Sequence, residues 1–153
     1  MGEGRVLGVD VGTRTTGLAV SDELRLCVRP LPPLTPRGRD DDVKHVLGLC
    51  RDLKVRVVVV GLPLLPVSEQ EGWMAKRARG FGQALQQAAQ AEGLPLDVEL
   101  VDERGTSRLA RSRLARRNLS RARRRGRVDT EVACLLVEEF IARGTEDDVT
   151  CDV

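Results

Sequence analysis

The sequence predicts an α/β protein in which helices cover both faces of a mixed five-stranded sheet. Three observations carry this. The segments read in order as β-β-β-α-β-α-β-α-α, a strand meander followed by alternating helices and strands. Val57-Val58-Val59-Val60 is an unbroken β-branched run, the pattern of a strand buried on both faces. Two stretches, Val43-Val46-Leu47-Cys50 and Trp73-Arg77-Phe81-Leu85, repeat at helical spacing.

Arg5–Val11 reads as a strand because Val6, Leu7, Val9 and Val11 surround a single acid, Asp10. Gly12-Thr13-Arg14 is a turn, and Thr15–Ser21 returns as the second arm of a hairpin. Leu24–Leu34 supplies a third strand that ends in the proline-rich stretch Pro30–Pro36. Asp40–Leu53 is expected to be helical, with Asp40-Asp41-Asp42 at its positive end. Arg56–Gly61 is the buried strand, Leu62–Glu71 a loop, and Trp73–Glu92 a helix that places Trp73 and Phe81 on its core face and stops near Gly93. Leu96–Val101 is a further strand. Thr106–Arg117 reads as a short helix, Asn118–Arg127 as a basic loop, and Val128–Ala142 as a last helix with Val132, Leu135, Leu136 and Phe140 inward. The expected organisation is one domain over 1–143 and an acidic flexible tail over 144–153.

At 153 residues, 41% hydrophobic and 31% charged, the chain is long enough to bury a core and too apolar for disorder. The start lacks the pattern of a secretory signal, and no apolar run nears the ~20 residues of a membrane span. A cytoplasmic protein is expected. Cys27, Cys50, Cys134 and Cys151 form no C-x-x-C pair and have no histidine beside them, so a structural zinc site is not expected; Cys27, Cys50 and Cys134 read as reduced buried thiols. His45, the one histidine, reads as a solvated surface group. The net charge of +2 hides a strong asymmetry. Arg104–Arg127 holds eleven arginines and no acid, whereas Val128–Val153 holds eight acids and one arginine. Such a basic segment suits a polyanion. Its plainer reading is a solvated helix in an arginine-preferring chain.

Asp10 is the candidate centre of the chemistry. A lone carboxylate in an apolar strand costs several kcal/mol unless a cation or strong donors compensate, although an aspartate there can also cap the following turn. Gly8, Gly12 and Gly17 let a ligand approach the backbone closely. Glu103 follows the last strand, where ligands meet a parallel sheet, with Asp102 as its competitor. Asp129 opens the last helix, either as an N-cap or as a site residue, with Glu131 as a rival on a different helix face. Three converging carboxylates would repel one another without a cation, and hard oxygen ligands favour Mg²⁺ or Mn²⁺. Such ions assist in-line phosphodiester hydrolysis.

Gly8-Val9-Asp10-Val11-Gly12-Thr13-Arg14-Thr15-Thr16-Gly17-Leu18-Ala19-Val20-Ser21-Asp22 resembles the first motif of the YqgF family, a family of Holliday-junction-resolvase-like and pre-16S rRNA nuclease proteins. Val59-Val60-Gly61-Leu62-Pro63-Leu64 resembles its second motif. Glu71-Gly72 with Ala75-Lys76-Arg77 and Phe81 resembles the helix after it. Asp102-Glu103-Arg104 with Thr106-Ser107 resembles the third motif, and Asp129 with Ala133 and Leu136 the last. The resemblance covers nearly the whole chain. It implies an RNase H-like fold and a catalytic, metal-binding triad of Asp10, Glu103 and Asp129. It also implies nucleic-acid contacts or supporting roles for Arg14, Lys76, Arg77 and Arg104. The sequence departs from the family at Leu65-Pro66-Val67-Ser68-Glu69-Gln70, at Val101 and at Gly105, changes that could retune substrate choice and leave the triad in place.

Arg121, Arg123, Arg124 and Arg125 are expected to contact phosphates, and Thr106 and Ser107, at a helix start, to hold another. Extensive base stacking is not expected, and binding should weaken steeply with salt. The expected function is a metal-dependent nuclease acting on structured RNA, with precursor 16S rRNA first, or on branched DNA. A ribosomal precursor particle and a second copy of the chain are the protein partners to consider. A non-catalytic RNA-binding module is the rival from another class, and a sugar-kinase-like phosphotransferase is disfavoured because the chain is too short for a second lobe.

Overall fold

The computed structural model describes residues 4–62, 72–102 and 130–144. The elements are β1 (Arg5–Asp10), β2 (Thr16–Ser21), β3 (Val28–Leu34), α1 (Arg39–Asp52), β4 (Val55–Leu62), α2 (Trp73–Ala91) and β5 (Asp97–Asp102). Residues 130–144 are helical. The expected strand order along the chain is found, and the five strands lie in the order β3-β2-β1-β4-β5. β1 pairs antiparallel with β2 and parallel with β4, β2 pairs antiparallel with β3, and β4 parallel with β5. The carboxyl ends of β1, β4 and β5 therefore share one edge of the sheet.

Strand alternation divides the core in two. Leu7, Val9, Leu18, Val20, Val58 and Val60 face α1 and α2, where Val46, Phe81 and Leu85 complete one cluster. Val6, Ala19 and Val59 face the opposite way and pack against Val132, Ala133, Leu136 and Val137 of the helical segment. The valine run of β4 is buried on both faces because helices lie on both. The edge strand β3 carries Pro30, Pro32 and Pro33, residues that cannot donate to a ladder and are tolerated at an edge. On the other edge, the Gln86 side chain clasps β5: its Nε2 donates to the Leu96 carbonyl and its Oε1 accepts from the Val98 amide, both at 2.9 Å.

Three expectations are corrected. The third strand starts at Val28, not Leu24. The Asp22 carboxylate accepts from the amides of Leu26 (2.7 Å) and Cys27 (2.8 Å), and Arg25 takes a left-handed φ of 58°, so residues 23–27 form a turn. That turn leaves Cys27 exposed, whereas Cys50 and Cys134 are buried as expected. Trp73 is not core: it is 65% exposed at the first residue of α2. The buried face of α2 runs through Ala75, Ala78, Gly82, Leu85 and Ala89, and a stripe stepping by four residues drifts about 40° per step, so Trp73 falls on a different side of the helix from Leu85. His45 is exposed, as expected. The predicted helix 106–117, the basic loop 118–127 and residues 145–153 of the tail lie outside the described residues, and residue 144 is still helical.

Candidate active site

Asp10 ends β1 and is only 8% exposed. It shares a face with Val6 and Gly8, the face covered by residues 130–144. Across the antiparallel ladder its partner is Gly17. On the parallel side the Val9–Val60 pair, carried one step on, sets Gly61 beside it. Glycine thus stands at the position beside Asp10 on both flanking strands. Gly61 pairs in turn with Val101, and Leu62 with Asp102, so the strand leading to Glu103 ends on the same edge as Asp10.

The direction of the last helix follows from three contacts. At Gly8 the Ala133 carbonyl oxygen and the Val137 side chain approach so closely that a Cβ would overlap the first and lie 2.7 Å from the second. Farther along the helix, the Phe140 ring centroid is 5.9 Å from the Arg25 guanidinium. The Arg25 Nε in turn donates to the Gly4 carbonyl at 2.9 Å. Moving from residue 133 to 140 thus runs from Gly8 back toward Gly4. The helix is antiparallel to β1, and residue 130 lies toward its Asp10 end.

Of the residues predicted from sequence, Arg14 is exposed in the turn after β1 at this edge. Lys76 is exposed and Arg77 half-buried in the first turns of α2. Glu103, Arg104, Thr106, Ser107, Arg121, Arg123, Arg124, Arg125 and Asp129 lie outside the described residues. Among the described residues no three metal-ligating side chains cluster, and two members of the predicted triad are not in that set.

The sequence reading missed a cavity of about 480 Å³ at the same edge, on the α1 and α2 face. Its lining includes Thr13, Thr16, Arg39, Asp42, Arg77 and Phe81. Asp42 is buried, and its Oδ1 accepts from the Arg37 amide at 3.0 Å. Arg39 lies over Gly80 of α2, where a Cβ would collide with the guanidinium. Thr13 and Thr16 belong to the glycine-rich motif around Asp10 and were legible as part of it. Arg39 carried no sequence signal, because nothing in a local pattern says that the start of α1 meets α2.

A mixed sheet in this order, helices on both faces and a buried aspartate closing β1 define an RNase H-like domain. The chain belongs to the family described as RuvX: Holliday junction resolvase, whose model matches residues 4–143. A protein of Anaeromyxobacter dehalogenans (strain 2CP-C) named "Putative pre-16S rRNA nuclease" is 40% identical over 139 residues, 91% of this chain and 97% of the relative. One of the same name from Prochlorococcus marinus (strain MIT 9313) is 37% identical over 141 residues, 92% of this chain and 81% of the relative. Among solved structures, Thermus thermophilus RuvC in complex with a Holliday junction substrate aligns with a TM-score of 0.58 at 18% identity, over 92% of this chain and 96% of that one. At that identity the likeness is one of fold. No helix among the described residues is long and apolar enough to cross a membrane.

Proposed function

We propose that this protein is a nuclease that hydrolyses phosphodiester bonds of structured RNA, with the 5′ end of precursor 16S rRNA as its substrate. The observation that carries the reading is the buried Asp10 at the sheet edge toward which the 130–144 helix begins. Asp129 directly precedes that helix and Glu103 directly follows β5, so both enter the chain next to elements that end at the Asp10 edge. The names of the curated relatives favour RNA. The family description favours branched DNA as the second reading.

The donor set Asp10, Glu103 and Asp129 is all oxygen, which fits Mg²⁺ or Mn²⁺, and glycine stands beside Asp10 on both flanking strands. A pair of such ions supplies charge neutralisation and Lewis acidity for in-line phosphoryl displacement. The protein's own part is positioning. β1 holds Asp10 rigid in a five-stranded sheet, and the two-faced core keeps the helix after Asp129 in place. Arg14, Lys76, Arg77, Arg104, Thr106, Arg121, Arg123, Arg124 and Arg125 would bind phosphates of the strand, orienting it without reading sequence. The family model's span supports residues 1–143 as the nuclease unit, with 144–153 as a tail. The partner for this reading is a cytoplasmic ribosomal precursor particle.

The test incubates the purified protein with labelled structured RNA and with a four-way DNA junction, in Mg²⁺, Mn²⁺ or EDTA, beside Asp10→Asn. Divalent-ion-dependent cutting that is lost in the variant supports the reading, and the preferred substrate decides RNA against DNA. Tight binding with no cutting under any condition would replace it with a non-catalytic RNA-binding module.

A further inference from the structure

We propose that Trp73 is a stacking platform for one unpaired base of the substrate strand, and that the adjoining cavity holds that strand's neighbouring phosphate. The proposal deepens the nuclease reading and rests on it. The sequence contains one tryptophan, no tyrosine and two phenylalanines. Phe81 is 4% exposed, and Phe140 is half-buried beside Arg25. Trp73, 65% exposed, is therefore the one exposed ring among the chain's tryptophan and phenylalanines. A large apolar ring left in water gains nothing for folding, and solvent-facing indoles suit ligand contact.

Its position ties it to the cavity. Trp73, Arg77 and Phe81 stand four residues apart on α2 and form one stripe down the helix. Phe81 and Arg77 line the cavity. Trp73 is one turn farther out, ~5.4 Å along the axis, which puts it beside the rim. The cavity is lined by residue types that bind phosphate, Arg39 and Arg77 together with Thr13 and Thr16. The start of α1 also opens here, but its first turn carries Asp40, Asp41 and Asp42, so the helix end is already countered by acids and the arginines must carry the attraction. The Asp42 carboxylate is an opposing charge, but one of its oxygens is taken up by the Arg37 amide.

The cavity and Asp10 lie on opposite faces of the same sheet edge. Val11, which lines the cavity, is the residue after Asp10. A strand held by Arg39 and Arg77 and stacked on Trp73 can pass over this edge and present a phosphodiester at Asp10. A flat indole face accepts any base, whether the sugar is ribose or deoxyribose, but a base buried inside a duplex cannot reach it. The protein would therefore require an unpaired or splayed nucleotide beside the bond it cuts.

Because Trp73 is the chain's one tryptophan, its emission reports the contact directly. The full-length Asp10→Asn protein, which leaves the strand intact, is titrated with a fluorescein-labelled single-stranded oligoribonucleotide while anisotropy and tryptophan emission are both followed. We expect quenching that tracks binding, a Kd weakened roughly 5- to 100-fold by Trp73→Leu, and a smaller loss with Trp73→Phe. Arg39→Gln should weaken binding and lower the slope of log K against log salt by about one. Urea unfolding checks that each variant folds. Undiminished binding by Trp73→Leu, or binding that leaves the emission unchanged, overturns the proposal and leaves the nuclease reading to the cleavage assay. If no RNA binds and none is cut, both fall.

Discussion

Gly8→Ala tests the contact that brings the last helix to Asp10. The added Cβ would overlap the Ala133 carbonyl oxygen and sit 2.7 Å from Val137 Cγ2. Ordinary carbon contacts are ~3.5–4.0 Å, so Val137 must retreat by about 1 Å. The carbonyl belongs to the helix backbone and cannot swing aside, so the helix itself must move. Overpacking of this kind costs about 1–3 kcal/mol, from which the lower chain entropy of unfolded alanine returns ~0.4–1 kcal/mol. A net loss of about 1–2 kcal/mol should lower Tm by roughly 2–8 °C for a chain of this size. Activity should suffer more than stability. The residue ahead of the helix would move relative to Asp10, and a 1 Å misplacement can cost about 10²-fold in rate. The assay is urea unfolding together with single-turnover cleavage at a temperature where the variant is fully folded. Val137→Ala added to Gly8→Ala should recover part of the stability and little of the rate, since the carbonyl clash persists. Wild-type Tm and wild-type rate in Gly8→Ala would refute the packing reasoning.

Two further predictions concern titratable groups. The amides of Cys27 and Leu26 hold the Asp22 carboxyl below its ordinary value near 3.8, with the Cys27 hydrogen bond the largest cause. Because the folded-state value is depressed, its contribution is present above about pH 4 and is lost as the pH falls through the folded value. The urea midpoint of Asp22→Asn should trail that of the wild type at pH 6 and converge with it at low pH; a gap that does not change with pH would contradict this. Burial pushes the Cys50 thiol up to about 12. The stability linked to it is full below the unfolded thiol's value of about 8.5 and is lost as the pH rises toward 12. At neutral pH Cys27 should react with a disulfide reagent at once and Cys50 only at the rate of unfolding, as peptide mapping would show. Prompt labelling of Cys50 would rule out the buried placement.

The elements were legible where pattern and packing agree. The valines of β4 and, in α2, Phe81 and Leu85 answer to the same core that they build. The misreadings share one cause, which is that a local pattern carries no information about what lies beyond the segment. Leu24, Leu26 and Cys27 look like a strand until the Asp22 carboxylate captures two of their amides. Trp73 matches a four-residue stripe, yet that stripe drifts round the helix away from the face on which Ala75, Ala78 and Leu85 are buried. Gln86 reads as a surface glutamine, and only the approach of β5 turns it into a clasp. Asp10 stood out because an acid among valines and glycines breaks the apolar pattern, and the structure places it buried at the end of the strand read there.

The arginine-rich segment gains meaning from where its two ends are tied. It runs from Arg104 to Arg127, immediately after Glu103 and just before Asp129. β5 reaches its carboxyl end at Asp102 on the edge where Asp10 closes β1. The helix that resumes at residue 130 begins toward that edge too, as the Gly8, Arg25 and Gly4 contacts require. In sequence, the eleven arginines lie between these two elements. Three acids alone would repel a polyanion, so a nuclease built on them needs compensating cations near the cut. A basic helix meant only for solubility could sit anywhere in the chain. Its position in the sequence, between two elements whose near ends lie toward the Asp10 edge, is consistent with the nucleic-acid role proposed for it, in a chain whose net charge of +2 conceals so large a separation of charge.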